Sequence, residues 1–300
     1  MLIRNQTWDE YRQIDRKNGS TLVAGLKSMR ALKRAIDSGG KEQTDAMRLG
    51  SGTHCLLLEP DEFEQRYCVV PEFHKSPENV TAKGQPTDSK LTNFYKQAVK
   101  DFARENSGKE FLSREQYDNA LYAVESMRSK PLITSMLSNA ETELTIIGEI
   151  DGVAVKGRID ALCRDSLIDV KTTASADLRT FGRTFANLHY GFKLALYREM
   201  LRQHTNDRPI VVIAQETSGD FDTVVYDVPS CVLDSGLAQV KRVLADYKHS
   251  LKTGVWHGID RGEETVPLLV PQWAMEDAGE ELVAWSSPSL AVETEVHAEF

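Results

Sequence analysis

Apolar residues recur at helical spacing through most of the first half of the chain. Between positions 22 and 36 they lie three or four residues apart, which places them on one face of a helix. The pattern predicts a helix over 8–37 and further helices over 46–58, 91–105 and 114–128. The apolar residues that define the first of these are Leu22, Leu26, Met29, Leu32 and Ile36.

The second half begins with a strand pattern. Segments 142–147, 153–163 and 167–173 are rich in Val, Ile and Thr and are separated by Gly or by polar residues, which is typical of consecutive antiparallel strands. A helix is predicted over 186–203, strands over 209–216 and 223–227, and a last helix over 232–252. This order predicts an α/β fold, a core sheet with flanking helices and a helical N-terminal part.

Composition narrows the class of protein. The 300 residues carry a net charge of −9, which argues against coating nucleic acid through overall charge but permits a local basic channel. The four cysteines form no CxxC pair, so a zinc ribbon or an iron–sulfur cluster is not expected. No apolar run approaches the ~20 residues of a membrane span, and the first residues have no apolar signal-peptide core. These features predict a cytoplasmic protein that does not bind membranes.

One domain is predicted over 1–275. Its residues 1–137 are mostly helical, and 138–275 hold the sheet and its flanking helices. The last segment, 276–300, is predicted to be an acidic tail because it combines several Asp and Glu residues with no Lys or Arg.

Two carboxylates and a lysine are predicted to meet on adjacent strands. A hairpin turn between Arg164 and Asp165 would pair Asp160 with Asp169, and Lys171 would lie on the same strand face as Asp169. Close carboxylates repel each other unless a cation or a proton lies between them, so the pair indicates Mg²⁺ or Mn²⁺.

The local pattern has a plainer interpretation, a solvated charge cluster on a surface hairpin. Acidic-x-Lys triplets also occur at Asp88 and Lys90 and at two other places in the chain. The same register would set Arg158 opposite Lys171, so the hairpin is expected to splay there, or Arg158 to face an acidic partner or a phosphate.

With further motifs, these residues resemble the PD-(D/E)XK nuclease superfamily, and in particular its exodeoxyribonuclease VIII-like branch encoded by phages and prophages. The core of the resemblance is Gly157-x-x-Asp160 followed by Asp169-x-Lys171, and it extends over about 8–274. The supporting segments are 50–63, Ala140-Glu141, 169–173, Ala214-Gln215-Glu216, 254–258 and 271–274.

The resemblance implies a central mixed sheet and a Mg²⁺-dependent exonuclease that degrades one strand of duplex DNA from its 5′ end, leaving a 3′ single strand. It implies that Lys171 is catalytic together with Asp160 and Asp169. The implied metal ligands are His54, Asp160, Asp169 and the carbonyl of Val170, with Glu141 and Glu216 in supporting positions.

The resemblance also implies DNA contacts and partners. Family members often have a glutamine where this chain has Lys193, while the tyrosine four residues later is retained as Tyr197. Tyr190, Lys193 and Tyr197 share a helix face, and these three with Arg158 are the predicted DNA-binding residues. The implied partners are double-stranded DNA ends, a single-strand annealing recombinase, and copies of the chain in a ring-shaped homo-oligomer in a bacterial host cell.

Two other functions stay open from the sequence. One is a structure-specific endonuclease on the same core. The other is a catalytically silent DNA-binding or recombination accessory protein, which the retained Asp160, Asp169 and Lys171 argue against.

Overall fold

The structure is a computed structural model that describes residues 1–39, 43–262, 265 and 268. Within this range, Met1–Arg261 forms one compact unit. The predicted domain end at 275, the motif at 271–274 and the acidic tail at 276–300 lie outside the described residues, so they stay predictions. Among the residues described, no helix is long and apolar enough to cross a membrane.

The central sheet is mixed, which confirms the predicted fold class. Among the described strands, its order is β1-β5-β6-β7-β8-β9, with β2 beside β6. The β7–β8 and β2–β6 pairs are parallel, and the other neighbours are antiparallel. A separate parallel pair is formed by β3 and β4. The strands are β1 (Leu2–Ile3), β2 (Lys17–Asn18), β3 (Tyr67–Val69), β4 (Glu110–Leu112), β5 (Glu141–Ile150), β6 (Val153–Leu162), β7 (Leu167–Thr173), β8 (Ile210–Glu216) and β9 (Thr223–Asp227).

Helices cover both faces of the sheet. Val212 and Ile213 are neighbours on β8 but pack into different apolar clusters, because side chains alternate along a strand. The helices are α1 (Trp8–Gln13), α2 (Gly19–Leu22), α3 (Met29–Asp37), α4 (Asp45–Leu58), α5 (Phe63–Arg66), α6 (Asn93–Glu105), α7 (Arg114–Ser129), α8 (Pro131–Leu137), α9 (Leu178–Asn187), α10 (Tyr190–Arg202) and α11 (Ser230–Thr253).

The predicted helix over 8–37 is wrong as a single element, because it is divided into α1, α2 and α3. The side chains of Thr7, Asn18 and Ser28 each accept a hydrogen bond from a backbone N–H and start a new helix. Between α1 and α2, the chain adds β2 to the sheet. The helix predicted over 186–203 corresponds to α10, which begins four residues later, because His189 in the left-handed conformation separates it from the end of α9.

The β6–β7 hairpin has the predicted register but is shorter than predicted. Ala161 pairs with Ile168 and Leu162 with Leu167, and the ladder ends there. The predicted pairing of Asp160 with Asp169 is therefore wrong. From this point β7 continues beside β8, while β6 diverges and pairs with β2 at Val155 and Lys156.

The two strands thus form a fork that opens at Asp160. The divergence confirms the expected splaying of the hairpin and leaves Arg158 and Lys171 unpaired with each other.

Candidate active site

A large cavity lies at the fork between β6 and β7. Its volume is about 980 Å³. The wall combines residues of the sheet with residues of α1, α3, α4 and α10, so the helical N-terminal part and the catalytic sheet both contribute to it. The predicted site residues that line it include His54, Asp160, Lys171, Tyr190, Lys193 and Tyr197.

Three side chains that could hold a metal ion meet in this cavity. One donor atom from each of His54, Glu143 and Asp160 lies within 4.8 Å of the others. The Nδ1 atom of His54 is 3.6 Å from Oδ2 of Asp160. The two carboxylates supply the oxygen donors that Mg²⁺ and Mn²⁺ prefer, and the imidazole adds a nitrogen donor of the kind that transition metals accept.

His54 reaches the sheet because α4 packs closely against β7. A Cβ atom at Gly50, one turn before His54, would lie 2.7 Å from Oγ1 of Thr172. Thr44 caps the start of the helix, and Pro60 follows shortly after its end at Leu58. The glycine in the predicted motif therefore permits the close approach that delivers the histidine.

Asp160 is held by the strand from which β6 has separated. Its Oδ2 atom accepts a hydrogen bond of 2.7 Å from the backbone N–H of Val170. A side chain thus takes the place of the backbone ladder at the fork, which fixes the carboxylate next to His54.

Glu143 is the residue that the sequence interpretation missed. It lies in β5 opposite Asp160, and the pairs on either side, Thr142 with Ala161 and Leu144 with Ile159, keep the same register. Its φ of 50° is unusual for a residue other than glycine. Such local strain is common at functional sites.

A signal for Glu143 was present in the sequence. The turn at Asp151-Gly152 pairs Ile150 with Val153, and counting back from this turn sets Glu143 opposite Asp160.

Neighbouring groups have opposite effects on the pKa of Glu143. Burial, with the repulsion of Asp160, raises the pKa of the Glu143 carboxyl to about 7, against the opposing attraction of Arg158. A carboxyl with this pKa is partly protonated at neutral pH, and a cation that binds the carboxylate would displace the proton.

The structure places Glu141 outside this group. Glu141 is exposed, and its carboxylate forms an ion pair of 2.6 Å with Arg4. Glu216 also has other contacts, since its Oε1 atom accepts from the N–H of Ala176 at 2.9 Å and its Oε2 atom from the N–H of Asp222 at 3.2 Å. Glu216 therefore joins the loops after β7 and β8.

Lys171 forms an ion pair with Asp169. Its Nζ atom also donates to the carbonyl of Val170 at 3.1 Å and lies 5.2 Å from the centre of the Tyr190 ring. Burial opposes the charge of Lys171, but the carboxylates of Asp169 and Asp160 outweigh it and raise the lysine pKa. Lys171 is thus a charged ammonium on the cavity wall.

Asp169 is more deeply buried than Asp160. Burial raises the pKa of the Asp169 carboxyl, and the attraction of Lys171 opposes that rise. Asp169 lies outside the group of three side chains that could hold a metal ion, and its assignment as a metal ligand stays a prediction, as does that of the Val170 carbonyl.

Arg158 contacts protein groups instead of an open surface. It is 6% exposed, and its guanidinium pairs with Glu143 and Glu59, donates to the carbonyl of Gln6 and lies 5.3 Å from the Trp8 ring centre. Of the two partners expected for Arg158, the structure shows the acidic one. Arg158 also lines the cavity, and its predicted contact with DNA stays a prediction.

The three residues predicted on one face of α10 all reach the cavity. Tyr190 lies between two cations, with Nζ of Lys193 5.4 Å and Nζ of Lys171 5.2 Å from its ring centre. Tyr197 packs on the sheet where β6 has Gly157, since a Cβ there would lie 2.5 Å from the tyrosine ring. Burial raises the pKa of the Tyr197 phenol.

No curated protein matches the sequence, but solved structures with a similar fold are known. A solved structure described as a "Putative exonuclease" from Eubacterium rectale superposes with a TM-score of 0.55 at 17% identity, covering 93% of this chain and 100% of that one. A "phage related exonuclease" from Haemophilus somnus covers 61% of this chain and 94% of its own, at 14% identity and a TM-score of 0.31.

Residues 20–259 match the family described as a PDDEXK-like domain of unknown function, DUF3799. This match covers most of the chain and includes His54, Glu143, Asp160, Asp169 and Lys171. It confirms the resemblance to the PD-(D/E)XK superfamily drawn from the sequence and supports the nuclease class. The chain belongs to the PDDEXK-like DUF3799 family.

Proposed function

We propose that this protein is a metal-dependent nuclease that hydrolyses phosphodiester bonds in DNA. The observation that carries the proposal is the grouping of His54, Glu143 and Asp160 in one large cavity whose wall also carries the ion-paired Lys171. A cation site beside a charged lysine is suited to an anionic substrate whose charge increases in the transition state.

The residues fit a divalent cation. The raised pKa of Glu143 reflects burial and the nearby carboxylate of Asp160, and a bound cation would relieve that repulsion. We propose that His54, Glu143 and Asp160 hold the metal, with Asp169 and the Val170 carbonyl as further ligands. When bound, the metal would lower the pKa of a water molecule and offset phosphate charge.

Lys171 would act on the reacting groups directly. Its ammonium is held by Asp169, the Val170 carbonyl and the Tyr190 ring, which fixes its position without removing its charge. We assign it two roles, orienting the attacking water and stabilising the negative charge on the phosphate oxygens.

At a finer level, we propose a Mg²⁺-dependent 5′ to 3′ exonuclease that acts on linear duplex DNA and produces 3′ single-stranded overhangs for phage-type recombination. The support for this is the motif resemblance to exodeoxyribonuclease VIII-like proteins and the fold shared with the Eubacterium rectale protein. Mn²⁺ has the same preference for oxygen ligands and is a second candidate cofactor.

The test is digestion of a linear duplex labelled at the 5′ or the 3′ end, beside a covalently closed circle, with Mg²⁺ and then with EDTA. The proposal expects metal-dependent release of 5′-terminal nucleotides and an intact circle. Release from the 3′ end first would reverse the proposed polarity.

Cutting of the circle would favour the structure-specific endonuclease. Absence of cleavage with Mg²⁺ and with Mn²⁺ would favour the silent DNA-binding protein.

The proposed assembly is a ring-shaped homo-oligomer that encloses DNA and works with a single-strand annealing recombinase. It rests on the family resemblance, and a ring would explain processive digestion because the enzyme could not easily leave its substrate between steps. Light scattering after size-exclusion chromatography tests it through the mass in solution. A monomer at micromolar concentration, with and without DNA, would contradict the ring.

A further inference from the structure

The outer face of α3 carries three exposed basic side chains. Arg30, Lys33 and Arg34 are spaced i, i+3 and i+4, so they lie on one side of the helix. On the opposite side Met29 and Leu32 are buried in the main core. We call Arg30, Lys33 and Arg34 the α3 basic face. Its buried side anchors it rigidly to the protein.

Two of these three cations have no polar side-chain contact within the part of the chain that the structure describes. Lys33 pairs with Asp37 at 2.7 Å and lies 5.6 Å from the centre of the Trp256 ring. For Arg30 and Arg34, no ion pair or side-chain hydrogen bond to a described residue is observed. A shallow depression of about 480 Å³ runs along these side chains, which makes the two guanidinium groups accessible to a ligand.

The α3 basic face begins next to the candidate active site. Ala35 and Ile36, at the C-terminal end of α3, and Gly39, just after it, line the candidate active-site cavity. Arg34 directly precedes this part of the helix, and Arg30 lies one turn further away, about 6 Å along the axis. A chain molecule that leaves the cavity over this end of α3 would meet both arginines.

Positive side chains continue beyond the other end of the helix. The backbone N–H of Arg30 donates to the carbonyl of His257 at 2.9 Å. Lys27 and Arg261 line a pocket of about 160 Å³ at this end, together with the carboxylate of Asp246. Two further cations therefore lie beyond the end of the helix that is away from the cavity.

We propose that the α3 basic face binds the sugar-phosphate backbone of the DNA outside the active-site cavity, independently of base sequence. Arginine suits this role because its planar guanidinium donates two parallel hydrogen bonds to a phosphate. Residues 1–262 contain equal numbers of basic and acidic side chains, so a local cationic path next to the cavity would guide the substrate toward the catalytic centre. The inference rests on the proposed function, since it takes DNA as the substrate of that cavity.

The test compares two double variants with the same change in charge. Arg30→Gln/Arg34→Gln removes the two arginines of the α3 basic face. The matched control is Lys96→Gln/Lys100→Gln, a pair of exposed lysines spaced i, i+4 on α6 that do not contribute to the cavity. Affinity for a 30-base-pair duplex is measured in Ca²⁺ at several salt concentrations. Hydrolysis of the small ester bis(p-nitrophenyl) phosphate is measured in Mg²⁺ and in Mn²⁺.

The expected result is a Kd for duplex about tenfold higher in Arg30→Gln/Arg34→Gln than in the control. The slope of log affinity against log salt should fall by about 2, because two phosphate contacts are lost. Hydrolysis of the small ester should be unchanged. Arg30→Lys/Arg34→Lys should recover most of the affinity, which shows that the loss came from charge and not from misfolding.

The inference and the proposed function fail in different ways. Equal duplex affinity and equal salt slope in the two glutamine variants would overturn the α3 basic face as a DNA site, even if the small ester is hydrolysed. Absence of hydrolysis of DNA and of the ester, with the affinity difference intact, would remove the nuclease proposal and leave the binding surface standing.

Discussion

At the residue scale, the central feature is the crowding of negative charge around His54. Carboxylate oxygens of Glu143 and Asp160 lie within 4.8 Å of an imidazole nitrogen, and Arg158 pairs with Glu143. A buried carboxylate near a second one is unstable without a compensating charge. Arg158 supplies part of that compensating positive charge. A bound cation would supply the rest.

The assignment of Glu143 in place of Glu141 gives the first prediction. Glu143→Gln should weaken Mn²⁺ binding about tenfold or more, because a neutral amide replaces an anionic ligand. Glu141→Gln is the matched control, since it makes the same change two residues away at an exposed ion pair. Isothermal titration calorimetry measures both. A larger loss of affinity in Glu141→Gln would restore the interpretation made from sequence alone.

The raised pKa of Glu143 predicts how the metal-free protein responds to pH. Its folded pKa of about 7 lies above the ordinary value of 4.5, so the folded state holds this proton more tightly than the unfolded state does. The resulting stabilisation is complete below pH 4.5 and is lost as pH rises to 7. Relative to Glu143→Gln, the wild type should lose up to about 3 kcal/mol of unfolding free energy over this window.

Urea unfolding in EDTA at pH 5 and pH 7.5 measures that difference. A wild type that becomes more stable relative to Glu143→Gln as pH rises would show that the Glu143 pKa is not raised.

Single residues differed in how well the sequence predicted them. His54, Asp160 and Lys171 all line the cavity as expected, because each belongs to a short motif of distinctive spacing. Glu141 and Glu143 are the same residue type on the same strand, two positions apart, and alternation alone does not distinguish them. Glu141 differs because it pairs with Arg4. These two residues are so far apart in sequence that no local pattern predicts the pair.

At the scale of the elements, the fork between β6 and β7 creates the site. β6 has β7 beside it at Ala161 and Leu162, then β2 beside it at Val155 and Lys156. Of the residues between these two pairings, Arg158 and Asp160 line the cavity, while Ile159 is buried in the main core. A regular hairpin would have closed the gap that Asp160 now spans with its side chain.

Close packing of α10 on β6 predicts the cost of one added methyl group. Gly157→Ala should lower the unfolding free energy by about 1–3 kcal/mol, because its Cβ would lie 2.5 Å from a ring carbon of Tyr197 and 3.1 Å from Met200. It should also reduce nuclease activity, since Tyr197 lines the cavity.

The control for that substitution is Gly182→Ala on α9, where an added Cβ meets no atom within 4 Å. This variant should gain about 0.5–1 kcal/mol from helix propensity. Urea unfolding measures both changes. Equal stability of the two variants would contradict the close packing of Tyr197 on Gly157.

Helices and strands were predicted correctly where the local sequence pattern and the tertiary packing favour the same element. The predicted strand over 167–173 coincides with β7, and α4 begins one residue before its predicted start. The helix predicted over 8–37 failed because three polar caps and a short strand interrupt an apolar pattern that is otherwise helical. The capping side chains bond to the backbone and favour a new helix start over a continuous helix. The pairing of β2 with β6 then fixes the break between α1 and α2.

At the scale of the whole molecule, the active-site cavity joins the two parts that the sequence analysis distinguished. The helical part supplies His54, and the sheet supplies Glu143, Asp160 and Lys171. Neither part holds the complete set of groups, so the predicted activity belongs to the compact unit of 1–261 as a whole.

The most direct test of the central claim is nucleotide release from a linear duplex in Mg²⁺ by two double variants. Asp169→Asn/Lys171→Met removes both charges of the buried pair, which avoids leaving one charge unpaired. Asp88→Asn/Lys90→Met makes the same change in an exposed Asp-x-Lys triplet outside the cavity. We predict a loss of at least about 100-fold in the first variant and the wild-type rate in the second. Wild-type rates in both would contradict the assignment of this cavity as the active site.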